Sequence, residues 1–299
     1  MNHELARAAE TWNRIVTDPA PKRSRFWHSP NLTALVDQRW RRETGYNTPV
    51  QFICGESGRN HFAVMLSIGC GAAANELKLL QEGIVDRIIL CDISDAQLQL
   101  ARNSAKNFGL DEARIEFRNF LDFSNPSREK IDLIYWQQSL HHMFDTEAAI
   151  AWCLDALQGQ GAMYYHDACP PNRIQWPSDA IDWVERFRSA LPRRYLASDS
   201  PTWWHPARRE PESVEYWLEV DPTECADSAN IIPAIRKLAP QTRLHFLGGL
   251  IYGYAMHDIL SNFDEDLDRP LFEFAMLVDE LLSKLGYNYF FTGVTAIHK

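Results

Sequence analysis

A glycine-rich turn and a following aspartate are the residues whose types and spacing most clearly predict chemistry. The segment Ser67-Ile68-Gly69-Cys70-Gly71-Ala72 ends an apolar run, and Asp92 ends the next one. Glycine is needed where a backbone turns with positive φ or lies against a ligand, and a carboxylate at a strand end accepts both hydroxyls of a ribose. Either feature alone is common in α/β proteins. Together at this spacing they predict a nucleoside-containing cofactor across the strand ends.

The glycine turn alone does not choose between nucleoside cofactors. A dinucleotide site has the pattern G-x-G-x-x-G/A, which Gly69, Gly71 and Ala74 satisfy. A nicotinamide-dependent oxidoreductase therefore remains open at this point. Such an enzyme needs a second nucleotide half-site after the fourth apolar run, and the chain has Gln137-Gln138-Ser139-Leu140-His141-His142 there.

His142 and Asp167 are the candidate catalytic residues. His142 follows the fourth apolar run and Asp167 ends the fifth, so both stand at carboxyl ends of strands, where open α/β sheets bind their ligands. Histidine has a pKa suited to general-base work, and a carboxylate orients an amine or a hydroxyl. The alternatives are a structural histidine bonded to a backbone carbonyl and an aspartate that caps the following turn. The histidines show no zinc-like spacing with cysteine or aspartate, so the sequence predicts no metal site.

An alternation of apolar runs, turns and amphipathic helices must position these residues. The predicted strands of this part are Ala63 to Ile68, Arg87 to Cys91, Ile115 to Phe117, Ile131 to Trp136 and Gly161 to His166. Ser94 with Gln97 three residues later predicts a helix start between the second and third strands. The pattern is typical of an α/β, Rossmann-like fold with a largely parallel sheet.

The two flanking parts of the chain lack this alternation. Residues 1–60 are expected to form a helical N-terminal cover, and residues 61–299 one α/β domain with an insertion at about 171–240. Within the insertion, residues 192–222 are rich in Pro, Arg and Trp, which is typical of a pocket wall. A further strand at Thr242 to Leu247, two helices and a final strand at Tyr289 to Ile297 complete the prediction.

Composition excludes several classes of protein. The 299 residues are 45% hydrophobic and 23% charged, as in soluble globular proteins. A formal net charge of −10 disfavours nucleic acid and anionic membrane surfaces as partners. The longest nearly apolar stretch, residues 246–256, is well short of the roughly 20 residues that span a bilayer. The N-terminus has no secretory signal, so a cytoplasmic protein with reduced cysteines is expected.

Several motifs together resemble the class I S-adenosylmethionine-dependent methyltransferases. The first glycine turn, the strand end Cys91-Asp92-Ile93-Ser94 and the Leu-His-His element after the fourth strand resemble that family. Pro171-Asn172-Arg173-Ile174-Gln175-Trp176 and Asp221-Pro222-Thr223-Glu224-Cys225-Ala226 are similar to a Gly-Pro-x-Arg-Phe-Gln-Trp turn and an Asp-Pro-Ser-Glu-Ala segment of a bacterial subgroup. Pro170-Pro171 replaces the Gly-Pro of that turn, which affects the acceptor side.

This resemblance implies a seven-stranded sheet with a reversed last strand and S-adenosyl-L-methionine at its centre. The glycines would face the methionine part of the cofactor and Asp92 its ribose. Adenine would be contacted by Asn119 or, after a one-residue shift, by Asp122. The residues implied to bind the cofactor are Gly69, Cys70, Gly71, Asp92, Ile93, Asn119, Phe120, Asp122, Gln137 and Gln138.

The resulting hypothesis is methyl transfer to a nitrogen or oxygen of a small-molecule acceptor of natural-product, sugar or amino-acid type. A general base is needed only if the acceptor atom keeps a proton that must leave, as a hydroxyl does. The alternatives are the nicotinamide-dependent oxidoreductase and a non-catalytic partner subunit that binds S-adenosylmethionine. The expected partner is a small molecule, with neither nucleic acid nor membrane.

Overall fold

One mixed sheet organises the protein. The computed structural model describes residues 3–17, 25–119, 123, 130–198 and 203–297. Its strands are β1 (Phe62–Ile68), β2 (Val85–Cys91), β3 (Ile115–Arg118), β4 (Ile131–Gln137), β5 (Leu157–Ala168), β6 (Arg243–Gly249) and β7 (Asn288–Ala296). All of the strands predicted from the sequence lie within one or two residues of these bounds, except that β5 begins earlier.

The strand order is β3-β2-β1-β4-β5-β7-β6. β1 to β5 are parallel neighbours, whereas β7 pairs antiparallel with both β5 and β6. The order reverses between β1 and β4, so a crevice forms outside the carboxyl ends of these two strands. The predicted fold class, a Rossmann-like seven-stranded sheet with a reversed last strand, is confirmed.

Ten α-helices of the described residues flank the sheet. They are α1 (His3–Thr17), α2 (Pro30–Thr44), α3 (Pro49–Ser57), α4 (Ala74–Gln81), α5 (Asp95–Asn107), α6 (Thr146–Ala156), α7 (Ser178–Ser189), α8 (Val214–Val220), α9 (Ile231–Leu238) and α10 (Arg269–Lys284). The predicted start of α5 is confirmed, because the Ser94 hydroxyl accepts a hydrogen bond from the Gln97 amide at 3.1 Å. No helix in these ranges is long and apolar enough to cross a membrane.

The sheet separates two apolar layers. Along β1, Met65 faces one layer, whereas Leu66 and Ile68 face the other. This alternation follows from the two-residue period of a strand, and both faces are apolar because helices cover both. The larger layer also takes in α2 and α3 of the N-terminal segment, so residues 30–57 are part of the core.

The helix α10 buries a different face from the one that the sequence predicts. Its apolar pattern predicts a buried stripe of Leu271, Phe274, Val278, Leu281 and Leu285. The side chains of Phe274 and Leu281 are nevertheless 49% and 55% exposed. The buried face carries Asp279 instead, which forms a 2.6 Å ion pair with the buried Arg39 of α2. A charged pair of this kind cannot be recognised from hydrophobic periodicity.

A π-helix (Leu250–Ala255) follows β6, where the sequence predicts a short helix near Ile251 to Leu260. π-helical turns are rare and occur frequently at functional sites. This one carries Tyr252 and Tyr254, and the turn that follows it carries His257 and Asp258.

Candidate active site

The two glycines of the β1 turn have different roles. Both have positive φ, 68° at Gly69 and 52° at Gly71. A Cβ at Gly69 would lie 2.6 Å from Cβ of Ser139, so this glycine allows the turn after β1 to pack against the turn after β4. A Cβ at Gly71 would meet nothing closer than Gln97 Oε1 at 3.8 Å. The space in front of the turn is therefore at Gly71, where a ligand can approach the backbone.

Asp92 holds the same turn from the end of β2. Its Oδ2 accepts a hydrogen bond from the Gly71 amide at 2.9 Å, and its Oδ1 accepts one from the Ser94 amide at 2.9 Å. The side chain is partly exposed. Because each carboxylate oxygen can accept a second hydrogen bond, Asp92 fits the hydroxyls of a ribose placed next to Gly71.

Four other predicted cofactor residues lie at or directly after the carboxyl ends of β1, β2 and β4. Cys70 is buried and Ile93 is partly exposed beside Asp92. Gln137 ends β4, and its Oε1 accepts a hydrogen bond from the Tyr135 hydroxyl at 3.0 Å. Gln138 is exposed and has a φ of 54°. A positive φ at a residue other than glycine is uncommon and is often found at ligand sites.

The predicted adenine contacts are only partly described. Asn119 is exposed, and its Nδ2 donates a hydrogen bond to Asp95 Oδ1 at 2.7 Å. Phe120 and Asp122 lie outside the described residues. The alternative between Asn119 and Asp122 therefore stays open.

Asp167 differs from the expectation that it faces the cleft. It ends β5 as predicted, but its side chain is fully buried. Its carboxylate accepts hydrogen bonds from the amides of Ser139 at 2.8 Å and Leu140 at 2.7 Å, and it also binds Nδ1 of His141. These donors turn the carboxylate inward. We therefore interpret Asp167 as a positioning residue that holds the turn after β4.

His142 is held in one orientation by residues from the insertion. Its Nδ1 lies 3.1 Å from Oγ1 of Thr223, and that hydroxyl donates its only proton to Asp221 Oδ1 at 2.6 Å. Thr223 must therefore accept a hydrogen bond from His142, which places the imidazole proton on Nδ1. Nε2 is left with a free lone pair. This is the arrangement in which a histidine acts as a general base.

Electrostatics favours the neutral form of His142. Burial lowers its pKa, and the neighbouring His141 lowers it further, although Glu224, Asp221 and Asp167 act in the opposite direction. For His141, burial would also lower the pKa, but the Asp167 carboxylate outweighs this effect and raises it. The two adjacent rings, with centroids 4.1 Å apart, thus have different protonation tendencies.

Helix α1 covers both ends of the crevice. The Trp12 ring packs edge-on against His142, with centroids 5.3 Å apart. The next residue, Asn13, accepts hydrogen bonds from the Ser94 hydroxyl at 2.8 Å and the Ala96 amide at 3.1 Å. Arg7 donates to the carbonyl of Leu218 in α8 at 2.7 Å. The N-terminal helix therefore connects the Asp92 end, the His142 end and the insertion.

Metal-ligating residue types come together here, although their spacing in the sequence gives no sign of it. Two groups have their candidate ligand atoms within 4.8 Å of one another: His141, Glu224 and Cys225, and His142, Asp221 and Glu224. Both histidine rings already form hydrogen bonds through Nδ1, and the Cys225 thiol donates to Glu224 Oε1 at 3.3 Å. We interpret the cluster as a hydrogen-bond network. That the protein has no metal site remains a prediction.

Sequence reasoning missed Trp12, Asp221, Thr223 and Glu224 as site residues. The segment around Thr223 had a signal only as a resemblance to a subgroup motif. Its partner His142 is 81 residues away in the chain, so no local spacing connects them. Trp12 carries no motif at all.

Residues 61–204 match the family described as "Methyltransferase domain". A curated relative, the ubiquinone biosynthesis O-methyltransferase of Pasteurella multocida strain Pm70, is 29% identical over 109 residues. That alignment covers 34% of this chain and 44% of the relative, so the chain spans less than half of that protein's length.

Solved structures with similar folds cover most of the chain at low identity. The [4+2]-cyclase SpnF has a TM-score of 0.50 and 13% identity, covering 98% of this chain and 93% of its own. A putative sarcosine dimethylglycine methyltransferase from Galdieria sulphuraria has a TM-score of 0.48 and 15% identity, covering 88% and 98%. The likeness to SpnF, at 13% identity, establishes the fold alone. Residues 61–204, which include β1 to β5 of the sheet, therefore match a methyltransferase domain.

Proposed function

We propose that this protein transfers the methyl group of S-adenosylmethionine to a hydroxyl oxygen of a small-molecule acceptor, with His142 as the general base. The methyltransferase-domain match supports the reaction class. The observation that carries the choice of oxygen is the contact of His142 Nδ1 with Thr223, whose hydroxyl donates to Asp221. A general base is required for a hydroxyl acceptor, whereas a neutral amine can lose its proton after attack.

The crevice beside Gly71 and Asp92 is the proposed cofactor site. The open space at Gly71 and the unused acceptor positions of Asp92 fit the backbone-facing and ribose parts of a nucleoside. Gln137 and Gln138, at the end of the adjacent β4, are assigned to the amino acid end. When bound, S-adenosylmethionine supplies an electrophilic methyl group on a sulfonium.

The protein's own contribution is alignment and proton removal. Holding the acceptor oxygen in line with the methyl group can supply about 7 to 11 kcal/mol of the barrier reduction. As the oxygen–carbon bond forms and the sulfur–methyl bond breaks, with S-adenosylhomocysteine as the leaving group, the hydroxyl proton passes to Nε2 of His142. The Nδ1 proton stays directed at Thr223, and the carboxylates of Asp221 and Glu224 stabilise the charge that develops on the ring.

Helix α1 and the insertion form the proposed cover over the reacting groups. Thr11 donates a hydrogen bond to the Val220 carbonyl at 2.8 Å, next to the contacts of Arg7 with α8. Since Trp12 of the same helix packs on His142, closing this contact would exclude water from the base. Water exclusion strengthens electrostatic interactions within a site.

Cofactor binding and methyl-transfer assays distinguish the two alternatives, a nicotinamide-dependent oxidoreductase and a non-catalytic partner subunit. The methyltransferase-domain match favours S-adenosylmethionine over a nicotinamide cofactor. A fold of this kind hosts more than one reaction, because function depends on the site grafted onto it. A protein that binds the cofactor without turnover would bind S-adenosylhomocysteine normally and show no acceptor methylation.

Changing Asp92 to asparagine is expected to weaken S-adenosylhomocysteine binding by roughly tenfold to a hundredfold, because a charge-assisted acceptor is lost. The asparagine side chain keeps one oxygen for the turn, whereas alanine would leave the amides of Gly71 and Ser94 without their partner and lower stability as well. Isothermal calorimetry of the wild type and Asp92→Asn measures this change. Asp86→Asn, at an exposed position near the opposite end of β2, is the matched control. Micromolar NAD binding without any response to S-adenosylhomocysteine would overturn the cofactor assignment.

Thr223→Val should lower methyl transfer by about tenfold to a hundredfold, because His142 loses the group that fixes its orientation. Thr223→Ser keeps the hydroxyl and should restore most of the rate. The ¹⁵N shifts of the imidazole provide a readout independent of the acceptor: Nδ1 protonation of His142 should persist in Thr223→Ser and mix with the other tautomer in Thr223→Val. Equal tautomer populations in both variants would contradict the positioning role.

A further inference from the structure

Two arginines and two histidines lie near the π-helix in a protein of net charge −10. These residues are Arg25, Arg209, His257 and His28, and none of them belongs to the site described above. Local positive charge against an acidic average is informative because the mean field of the protein does not produce it. The contacts of each member show what the group can bind.

Arg25 begins the short segment that packs onto the π-helix. The adjacent Phe26 lies edge-on against Tyr252 and Phe290, with ring centroids 5.1 and 5.7 Å apart. The Arg25 guanidinium lies 5.1 Å from the centroid of the Trp27 ring. Within the described ranges no carboxylate lies at salt-bridge distance from it, so its donors are available to a ligand.

Arg209 comes to the same segment from the insertion. Its guanidinium lies 4.6 Å from the centroid of the Tyr254 ring, and Nη1 donates to the Tyr254 carbonyl at 3.1 Å and to Asp258 Oδ1 at 2.8 Å. Asp258 is shared with Arg188, whose Nη1 lies 2.8 Å from the same oxygen. One carboxylate therefore faces two guanidinium groups. Glu212 and Glu210 lie close enough to affect the pKa of Tyr254, and the charge of Arg25 lowers the pKa of Glu224.

His257 follows the π-helix, in the turn that also carries Asp258. Burial, together with the charges of Arg209, Arg25 and His28, lowers its pKa to about 4, whereas Asp258 acts in the opposite direction. Its imidazole has no hydrogen-bond partner among the described residues. A neutral, partly buried imidazole next to two guanidinium groups can donate a hydrogen bond to an anion.

Aromatic side chains connect this group to the proposed base. The Trp176 ring lies 6.2 Å from Tyr254 and 6.1 Å from Tyr289, measured between centroids. Tyr289 is in turn close enough to Glu224 and Cys225, and to Arg25 and Arg209, for all four to affect its pKa. Trp176 and Tyr254 are buried, whereas Tyr289 is partly exposed. A planar acceptor that packs on Tyr289 would have the His142 cluster on one side and the arginines on the other.

We propose that the acceptor carries an anionic group, a carboxylate or a phosphate, that binds to Arg25 and Arg209 beside His257. This inference rests on the proposed methyl transfer, because it places the methylated hydroxyl at His142 and the anionic group of the same acceptor at Arg25 and Arg209. Guanidinium groups bind both anions through paired, charge-assisted hydrogen bonds. The substrate class is thus a planar hydroxy acid or its phosphate analogue.

The test measures binding of simple probes to the full chain saturated with S-adenosylhomocysteine. The probes are 4-hydroxybenzoate, phenyl phosphate and the uncharged 4-hydroxybenzamide, followed by saturation-transfer NMR and calorimetry. We expect saturable binding of at least one anion and binding of the amide that is weaker by about tenfold or more. The tighter of the two anions identifies the group that the acceptor carries.

Variants connect the anion to the named residues. Arg25→Gln and Arg209→Gln should each weaken the preferred anion by about tenfold and leave the amide unchanged. Arg208→Gln is the control, since Arg208 pairs with Asp182 and Glu185 on the surface. An unchanged S-adenosylhomocysteine affinity shows that each variant is folded. If Arg209→Gln does not fold, the test depends on Arg25→Gln, because this change breaks no ion pair among the described residues.

Three results would overturn the inference: equal binding of acid and amide, unchanged anion binding in Arg25→Gln, or no saturable binding of either anion up to about 10 mM. In each of these cases intact S-adenosylhomocysteine binding leaves the proposed function standing. Loss of S-adenosylhomocysteine binding in the wild type would instead contradict the proposed function itself.

Discussion

Replacing His142 with alanine is expected to lower the methyl-transfer rate by about 10² to 10⁴ while leaving the affinity for S-adenosylhomocysteine unchanged. The reason is that the hydroxyl proton loses its acceptor, the lone pair that the contact with Thr223 leaves free on Nε2. The cofactor crevice at Asp92 has no hydrogen bond to His142, so cofactor binding should not respond. Single-turnover formation of S-adenosylhomocysteine measures the chemical step once an acceptor is identified.

The control for this change is His61→Ala, because the His61 side chain is 50% exposed and pairs with Asp86 on the surface. Full activity in His142→Ala would show that the acceptor is not beside this residue. A modest loss that appears as weaker acceptor binding would indicate an amine acceptor, since orientation alone is then lost. The same variant thus distinguishes oxygen from nitrogen.

The pH dependence of the wild-type rate follows from the same geometry. Burial and the charge of His141 lower the pKa of His142 below its usual value of 6.5, against the effects of Glu224 and Asp221. A general base works in its neutral form, so the rate should be constant above pH 6.5 and fall only as the pH drops through the lowered pKa. In His142→Ala this fall should disappear.

The parts of the site that the sequence predicts are those encoded locally. The turn at Gly69 and Gly71, the strand end at Asp92 and the helix start at Ser94 each depend on residues a few positions apart, and each lies where it is expected. The alternation of strands and helices likewise determines which strand ends share an edge. From this, the proximity of the turns after β1 and β4 follows.

The remaining parts depend on contacts between distant segments. Thr223 and Asp221 reach His142 from a region without periodic pattern, and Arg25 and Arg209 meet the π-helix from opposite parts of the chain. Helix α10 shows the same effect, because the buried ion pair of Asp279 with Arg39 decides which face is buried. Such choices are made by tertiary packing rather than by propensity.

Asp167 illustrates the limit within a single residue. Its position at the end of β5 is predicted by the strand pattern, but the direction of its side chain is not. The turn after β4 presents the amides of Ser139 and Leu140 without partners inside the sheet, and the carboxylate satisfies them. Leaving buried backbone N–H groups without an acceptor lowers the stability of the folded protein. The carboxylate therefore points toward the loop after β4 and not into the cleft.

Asp167→Ala is therefore expected to lower the free energy of unfolding by about 3 to 5 kcal/mol, because it leaves His141 and two buried amides without an acceptor. Asp167→Asn keeps one oxygen and should cost less. Urea denaturation of both variants measures this difference, with the exposed Asp86→Ala as the control. A stable Asp167→Ala protein that has lost only activity would contradict the positioning role and restore a direct catalytic one.

Acid denaturation tests the same role through the protonation of Asp167. Burial would raise the pKa of this carboxyl, but His141 and the amides of Ser139 and Leu140 outweigh burial and hold it below the usual 3.8. A carboxylate with a lowered pKa contributes stability above its unfolded-state pKa and loses that contribution as the pH falls through the folded-state value. As the pH is lowered from 7, the wild type should therefore lose its advantage over Asp167→Asn only below pH 3.8. An advantage that already declines on acidification from pH 7 to pH 5 would mean that the carboxylate is not held by these donors.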